Sequence, residues 1–248
     1  MIWFHWTSVI ALISLCTSIL WLLLVWLHTR LWVGRLHLGL PYARVETVRA
    51  PDGGVFELRR VADRPGKDLP HSCEPPILLV HGICANHRNQ DIHPDCSLAR
   101  YLAGHGRDVW LLTLRTGRRQ LFRNGSAPMG FDAMVRHDLP LAVERVLSAT
   151  SATELDYIAF SMGGMLLYAS IGKTLPESSI RRAAFVGSPG KIMSYYPFSR
   201  FAARIPRRFI PRLPSGTGAR VFAFLSEWFV TPVHRQIVNP DNLSEGIT

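Results

Sequence analysis

The stretch DYIAFSMGGMLLYA, residues 156–169, decides the fold. Its first half is a strand-length apolar run, which predicts a buried β-strand. Its second half begins after Ser161 and has the length and composition of a buried helix. A strand that turns into a helix on a serine raises two questions: whether Ser161 is a nucleophile, and where its partners lie.

Strand and helix patterns alternate on both sides of this stretch. The runs at residues 46–50 and 55–61 flank PDGG, a turn sequence that permits positive φ and predicts a hairpin. Further strands are predicted at 76–82, 108–114, 155–160 and 183–187, and helices at 96–106, 131–149 and 162–173. This alternation is typical of an α/β fold, with a mostly parallel sheet and helices on both faces.

The first 29 residues form a separate unit. Residues 3–27 contain no Lys, Arg, Asp or Glu, and about 20 apolar residues are enough to cross a bilayer as a helix. Tryptophans near both ends of the run are typical of rings at the two membrane interfaces. The charged start, short apolar centre and cleavage site of a signal peptide are not found. We predict a transmembrane anchor, the alternative being a helix buried in a soluble core.

Charge predicts how this anchor is oriented. No Lys or Arg precedes the run, and Arg30, Arg35 and Arg44 follow it. The positive-inside rule therefore places the globular part on the cytoplasmic side. The predicted organisation is an anchor at residues 1–29, a basic juxtamembrane linker at 30–44 and an α/β core at 45–193.

The motif around Ser161 resembles the nucleophile elbow of the α/β-hydrolase superfamily, and the likeness extends over residues 76–193. The usual G-x-S-x-G is A-F-S-M-G here, at residues 159–163. In that turn the serine projects its hydroxyl from the top of the sheet, so the resemblance implies that Ser161 is the nucleophile. The turn needs small residues two positions before and after the serine, and Ala159 departs by one methyl group. The alternative is an ordinary junction with a serine N-cap.

A second motif, H-G-I-C at residues 81–84, ends an earlier apolar strand. In the superfamily a loop at this place supplies one N–H of the oxyanion hole, and the residue after the nucleophile supplies the other. By position these donors are the amides of Ile83 and Met162, and His81 is expected to be a structural histidine below the hole. The glycines that the resemblance assigns to the loop and the elbow are Gly82, Gly163 and Gly164.

Residues 97–118 and 131–146 resemble blocks of the acid-lipase-like hydrolases and of their bacterial relatives near the polyhydroxyalkanoate synthases. The synthases place cysteine at the elbow, where this chain has Ser161. The resemblance therefore implies hydrolysis of an ester with a lipid or small-molecule substrate, without a cofactor. After the strand ending at Leu114, relatives often have Arg-Gly-His-Gly or Arg-Gly-Asn, whereas this chain has R-T-G-R-R at residues 115–119.

The partners of Ser161 are harder to place. In the superfamily the acid and then the base follow the nucleophile along the chain, but after Ser161 the one histidine, His234, precedes the one aspartate, Asp241. Glu177 and Glu227 read most simply as solvated helix residues. Residues 194–248 resemble the cap or lid that relatives insert after the sixth strand. The last two strands of the fold, with the acid and base, are therefore expected to be missing.

Three interpretations of this gap remain open. The chain is a truncated hydrolase, a non-catalytic membrane-associated binding module, or a chain whose sheet and triad are completed by a second polypeptide. Truncation is the most economical of the three. His234 remains a candidate substitute base, because triads are recognised by geometry and not by chain order.

Other sites and partners have weaker support in the sequence. The four cysteines form no CxxC pair, so neither a zinc ribbon nor a dense disulfide framework is indicated. The His and Asp residues between positions 87 and 95 lack a ligand spacing, and we expect a polar loop there and no metal. The formal net charge is +10, and a basic amphipathic stretch at residues 200–212 fits either a membrane surface or a solvated cap. No nucleic-acid-binding motif accompanies it, so we expect no nucleic-acid partner.

Overall fold

The structure, a computed structural model, describes residues 2–36, 39–61, 74–83, 85–117 and 127–190. These residues form an N-terminal helix followed by a layered α/β unit. The helices are α1 (Ile2–Leu36), α2 (Leu98–Gly104), α3 (Phe131–Ala133), α4 (Leu139–Thr150) and α5 (Met162–Ser170). The strands are β1 (Tyr42–Arg49), β2 (Val55–Val61), β3 (Ile77–Val80), β4 (Val109–Thr113), β5 (Leu155–Phe160) and β6 (Ile180–Val186).

The described strands form one sheet in the order β1-β2-β4-β3-β5-β6. Strands β4, β3, β5 and β6 run parallel to one another. The β1–β2 hairpin lies antiparallel along the β4 edge. The predicted hairpin and the predicted mostly parallel sheet are both confirmed.

Both faces of the sheet are covered, as the continuous apolar strands require. Because side chains alternate along a strand, Leu78 and Val80 of β3 pack in a cluster with residues of α4 and α5. Ile77 and Leu79 point the other way, into a smaller cluster with residues of α2. Buried side chains from both clusters hold the centre of the sheet, so the carboxyl ends of β3, β4 and β5 are placed rigidly at one edge.

The helix predicted at residues 131–149 contains an irregular turn. Residues Met134–Asp138 form a π-helical turn between α3 and α4, and Pro140 follows in the first turn of α4. A π turn inserts one extra residue into a helix and often lies at a functional site. It leaves Asp138 fully buried at the start of α4.

Two strands begin earlier than the sequence predicted. Strand β1 begins at Tyr42, whose hydroxyl donates to Asp91 at 2.8 Å. Strand β6 begins at Ile180, and its second residue, Arg181, pairs with Asp156 at 2.7 Å. In both places a contact with an aspartate carboxylate, a hydrogen bond for Tyr42 and an ion pair for Arg181, accompanies the extension of the strand beyond the apolar pattern. The two strands predicted to be missing and the predicted cap at residues 194–248 lie outside the described residues.

The N-terminal run is helical, as predicted, but the helix extends from Ile2 to Leu36 and so continues past the predicted anchor at residues 1–29 into the predicted linker. Its described large apolar side chains are exposed, with Leu12 at 60% and Leu22 at 56%. Within the described residues, no helix meets the combined requirement of length and apolarity for spanning a membrane.

Candidate active site

Ser161 occupies a strained turn between β5 and α5. Its backbone has φ 48° and ψ −112°, a combination that L-residues with side chains avoid. Ser151 is the other non-glycine residue with positive φ in the described chain, but it has the ordinary left-handed conformation of a helix C-cap. Backbone strain of this kind costs about 1–3 kcal/mol and is concentrated at active sites. The turn therefore has the geometry expected of a nucleophile elbow.

The serine does not act as a helix cap. Ser161 precedes the first residue of α5, yet its side chain makes no capping hydrogen bond. Its backbone N–H donates to the carbonyl of Val186 at 2.9 Å, which fixes the turn to β6. Its side chain is partly exposed. An ordinary N-cap is thus excluded, and the hydroxyl stays available for other chemistry.

Three glycines allow the elbow to form where it does. A Cβ on Gly163 would lie 2.7 Å from the carbonyl oxygen of Val80, and one on Gly164 would collide with the Ser188 side chain. A Cβ on Gly82 would lie 3.1 Å from the Ser161 Cβ and 3.7 Å from its Oγ. The loop after β3 and the elbow after β5 therefore approach each other without intervening side chains. Ala159, the departure from the usual glycine, fits with only 1% exposure in β5.

His81 fixes the orientation of the loop after β3. Its Nδ1 lies 2.7 Å from the carbonyl oxygen of Gly82, and its Nε2 lies 3.1 Å from the backbone nitrogen of Leu114. The amide of Leu114 can only donate, so Nε2 accepts and Nδ1–H donates to Gly82. Burial lowers the pKa of His81 to about 4, which keeps the ring neutral near pH 7. The expected structural role of His81 fits this geometry.

The same contact sets the direction of the Ile83 amide. In a trans peptide the C=O of one residue and the N–H of the next point in opposite directions, and the described chain contains no cis peptide. Because the Gly82 carbonyl points at the His81 ring, the Ile83 N–H points away from it. Ile83 is 52% exposed, whereas Met162 is 9% exposed at the start of α5. The two predicted donors lie on the loop and the elbow that meet at Gly82 and Ser161.

The structure brings together the residues predicted from the two motifs, but none of the residues that it describes lies in place as a base. The described histidine side chains are all engaged elsewhere: His81 with Gly82 and Leu114, His87 with Thr113, His93 with Asp95, His105 with Tyr101, and His137 near Asp52. His234, Glu227 and Asp241 lie outside the described residues. Glu177 is exposed in the short helix Glu177–Ser179, as expected for a solvated residue.

The polar loop after β3 has structural contacts. Asp91 is fully buried and accepts from Tyr42, from Ser97 at 2.7 Å and from Arg100 at 2.9 Å. His87 bonds to Thr113 at 3.0 Å. In the part of the chain that the structure describes, no group of three His, Cys, Asp or Glu side chains could hold a metal ion.

Sequence reasoning missed one cluster beside this site. It treated Arg115 only as a departure from relatives, but the Arg115 side chain is fully buried and pairs with Asp138 and Asp52. The turn Arg115–Gly117 that carries it is also buried. A Cβ on Gly117 would lie 2.9 Å from the His81 Nε2. The signal in the sequence was a lone Asp138 inside an otherwise apolar helix face.

Comparison with known proteins identifies similar chains and folds. The family described as the alpha/beta hydrolase fold matches residues 75–225. A solved structure of a hydrolase from Pseudomonas aeruginosa PA01 shares the fold, with a TM-score of 0.51 at 14% identity, over 82% of this chain and 69% of that one.

Curated relatives include lipases. Human lipase member K is 29% identical over 150 residues, which cover 56% of this chain and 36% of the relative. Human gastric triacylglycerol lipase is 30% identical over 133 residues, which cover 50% of this chain and 33% of the relative. The matched part of the chain thus spans about a third of the length of these two lipases.

Proposed function

The chain belongs to the α/β-hydrolase fold family, and on that premise we propose that it hydrolyses carboxylic esters with Ser161 as the nucleophile. The observation that carries the proposal is the backbone of Ser161, held at φ 48° and ψ −112° without a capping bond. The close approach of Gly82 to the Ser161 side chain supports it. A strained serine beside a donor loop fits acyl transfer.

The proposed reaction follows from these positions. The Ser161 Oγ attacks the ester carbonyl carbon, and the carbonyl oxygen becomes an oxyanion that accepts from the amides of Ile83 and Met162. The bond to the alcohol then breaks, leaving an acyl-serine that water hydrolyses. A base must take the serine proton and return it to the departing alcohol. We assign the base and its acid to residues that the structure does not describe. His234 is the candidate for the base.

The proposed substrate is an ester with an apolar, lipid-like part. Two exposed apolar side chains belong to the elbow and the loop beside it: Phe160, which precedes Ser161, at 42%, and Ile83, in the loop after β3, at 52%. Apolar surface beside a reacting group favours acyl chains over charged substrates. The similarity to two human lipases supports the same class.

An acylation experiment tests the proposed reaction. The full chain in detergent is mixed with p-nitrophenyl butyrate, and p-nitrophenolate release is followed together with the intact mass. We expect release of p-nitrophenolate and a butyryl group on the peptide that contains Ser161. A butyryl group on another residue, or no release of p-nitrophenolate beyond that by a Ser161→Ala chain, would contradict the proposal. The corresponding butyric anilide serves as the less reactive comparison.

The N-terminal helix is proposed as a single-pass membrane anchor with the globular part on the cytoplasmic side. Its described large side chains are apolar and about half exposed along residues 9–27. A helix that is apolar on all sides is stable when hydrocarbon or protein surrounds it. Arg30 and Arg35 in the last turns of the helix, and Arg44 after it, would lie at the anionic cytoplasmic surface.

Deleting residues 1–29 is expected to move the protein from the membrane fraction to the supernatant. The remaining basic surface gives only salt-sensitive attachment, because ions screen surface charges. The measurement is fractionation of cells that express the full and the shortened chain, each washed at high salt. A shortened chain that stays with the membrane after the wash would overturn the anchor.

A non-catalytic binding module remains the second candidate. Strand β6 favours a sheet that continues, because the side chains of residues 182–186 are exposed and an unpaired apolar edge invites a further strand. That strand could come from this chain or from a second polypeptide. The acylation experiment separates the candidates, since a binding module would leave the butyrate ester intact.

A further inference from the structure

A largely buried ionic cluster lies behind the proposed oxyanion loop. It consists of Arg115, Asp138 and Asp52, here called the Arg115 clamp. The Arg115 and Asp138 side chains are both 0% exposed, and that of Asp52 is 15% exposed. Their charged atoms approach to 2.6 Å for Arg115 and Asp138 and to 2.5 Å for Arg115 and Asp52.

Every N–H of the guanidinium has an acceptor. The Nε donates to Asp138 at 2.9 Å, and the two Nη atoms donate to Asp138, Asp52 and the carbonyl of Pro128. The backbone N–H of Arg115 also donates to Asp138, at 3.1 Å. Asp138 therefore fixes the main chain of the turn as well as the side chain. A lysine could not make this set of bonds, because its ammonium lacks the planar fork of donors.

Three separate segments are shaped to form the clamp. Asp138 ends the π turn that interrupts the helix after β4. Asp52 lies in the β1–β2 hairpin turn, where Gly53 has φ 81°. A side chain on Gly54 would collide with the Arg115 guanidinium. The π turn and the hairpin turn thus each place one carboxylate against the buried Arg115 side chain.

The clamp is connected to the proposed oxyanion loop through His81. The Leu114 N–H donates to His81 Nε2 at 3.1 Å, and the His81 ring in turn holds the Gly82 carbonyl at 2.7 Å. Gly117, at the end of the clamped turn, packs closely against the same ring. Any shift of the turn Arg115–Gly117 would therefore reach the peptide between Gly82 and Ile83.

From this geometry we infer that the Arg115 clamp is a positioning element for the oxyanion hole: it holds His81, and through His81 the Ile83 amide, in the orientation that acyl transfer needs. The inference rests on the proposed function and adds to it three residues remote from the reacting atoms. A positioning role differs from a role in stability alone because its loss lowers the reaction rate of protein that is still folded. Misplacing a reacting group by about 1 Å can lower a rate about 100-fold.

The chain offers a matched control at the other end of the same strand. Asp108 precedes β4 and forms a two-point ion pair with Arg60, at 2.8 Å and 2.6 Å. This pair lies at the amino end of β4, away from Ser161. Loss of Asp108 should therefore affect stability without affecting the oxyanion loop.

The experiment compares Asp52→Asn, Asp138→Asn and Asp108→Asn in the full chain. Labelling of Ser161 by a fluorophosphonate is measured as a limiting rate and a half-saturating concentration, and thermal unfolding is measured beside it. In Asp52→Asn we expect the limiting rate to fall at least about tenfold, with the half-saturating concentration unchanged. Asp138→Asn should have the larger effect if it folds, and Asp52→Asn keeps the test decisive if it does not.

A second readout does not depend on reactivity. In chains labelled with ¹⁵N-histidine, the wild-type His81 should show one tautomer, with the proton on Nδ1, and a His81→Gln variant identifies its signals. We expect Asp52→Asn to give mixed tautomers and Asp108→Asn to leave the wild-type signals. If wild-type Ser161 does not react, the proposed function fails, and these signals alone decide the clamp.

The overturning results are specific. If Asp52→Asn and Asp108→Asn lower the labelling rate equally, or only in proportion to their loss of stability, the clamp is a structural ion pair. Unchanged His81 signals in both Asp52→Asn and Asp138→Asn would also overturn the inference.

Discussion

Replacing Ser161 with alanine is expected to abolish labelling by a fluorophosphonate probe and any ester hydrolysis by this chain. Removal of the nucleophile of a serine hydrolase lowers the rate by up to about 10⁶-fold, and only the effects of binding and the oxyanion hole remain. The substitution removes one hydroxyl that makes no capping hydrogen bond. The fold should therefore survive, which thermal unfolding of the purified variant can check.

Ser151→Ala is the matched control for this prediction. Ser151 also has positive φ, at 55°, and it is exposed at the end of α4, away from the elbow. The substitution therefore makes the same chemical change at another serine with positive φ. Ser151→Ala should label like the wild type. Labelling that persists in Ser161→Ala would place the reactive residue elsewhere in the chain.

The elbow could be predicted from the sequence because its signals are local. A strand-length run, a serine and two glycines lie within ten residues, and each carries its structural meaning without reference to the rest of the chain. The strained φ of Ser161 follows from that local pattern, whereas the close approach of Gly163 to Val80 also needs the pairing of β3 with β5. The hairpin around Gly53 was predictable for the same reason, since the turn sequence alone calls for positive φ.

The Arg115 clamp could not be predicted in this way because its members are distant in sequence. Arg115 is separated from Asp138 by 23 positions and from Asp52 by 63. Charged residues are exposed by default, so each of the three reads as a surface residue on its own. Only the assembled sheet brings the hairpin turn and the π turn to the carboxyl end of β4. There Asp52 and Asp138 compensate the charge of Arg115.

The His81 contact shows a second limit of local patterns. The motif correctly predicted a structural histidine, but it could not tell which ring nitrogen donates. That depends on the Leu114 amide, 33 positions away, which occupies Nε2 and leaves the Nδ1 proton for Gly82. The direction of the Ile83 N–H is thus a consequence of tertiary structure.

Gly163→Ala is expected to disable the site although the same change stabilises most helices. Alanine exceeds glycine in helix propensity by about 1 kcal/mol, and Gly163 lies in the first turn of α5. Its added Cβ would lie 2.7 Å from the Val80 carbonyl oxygen and 3.0 Å from that of His81. Both contacts are with backbone atoms, which cannot rotate away, so either α5 or the end of β3 must move.

We expect this movement to lower stability by about 1–3 kcal/mol, the usual effect of overpacking a core. It should also lower the rate of Ser161 labelling by at least about tenfold in the folded protein, because the end of β3 leads into Gly82 and Ile83. The measurements are chemical unfolding and probe labelling of the same preparation. Gly130→Ala is the control, since Gly130 precedes α3 with φ −78° and a Cβ there meets no atom within 4 Å. If Gly163→Ala labels like the wild type, the start of α5 and the end of β3 need not approach each other for the site to work. The contact between them would then no longer support an oxyanion hole at Ile83 and Met162.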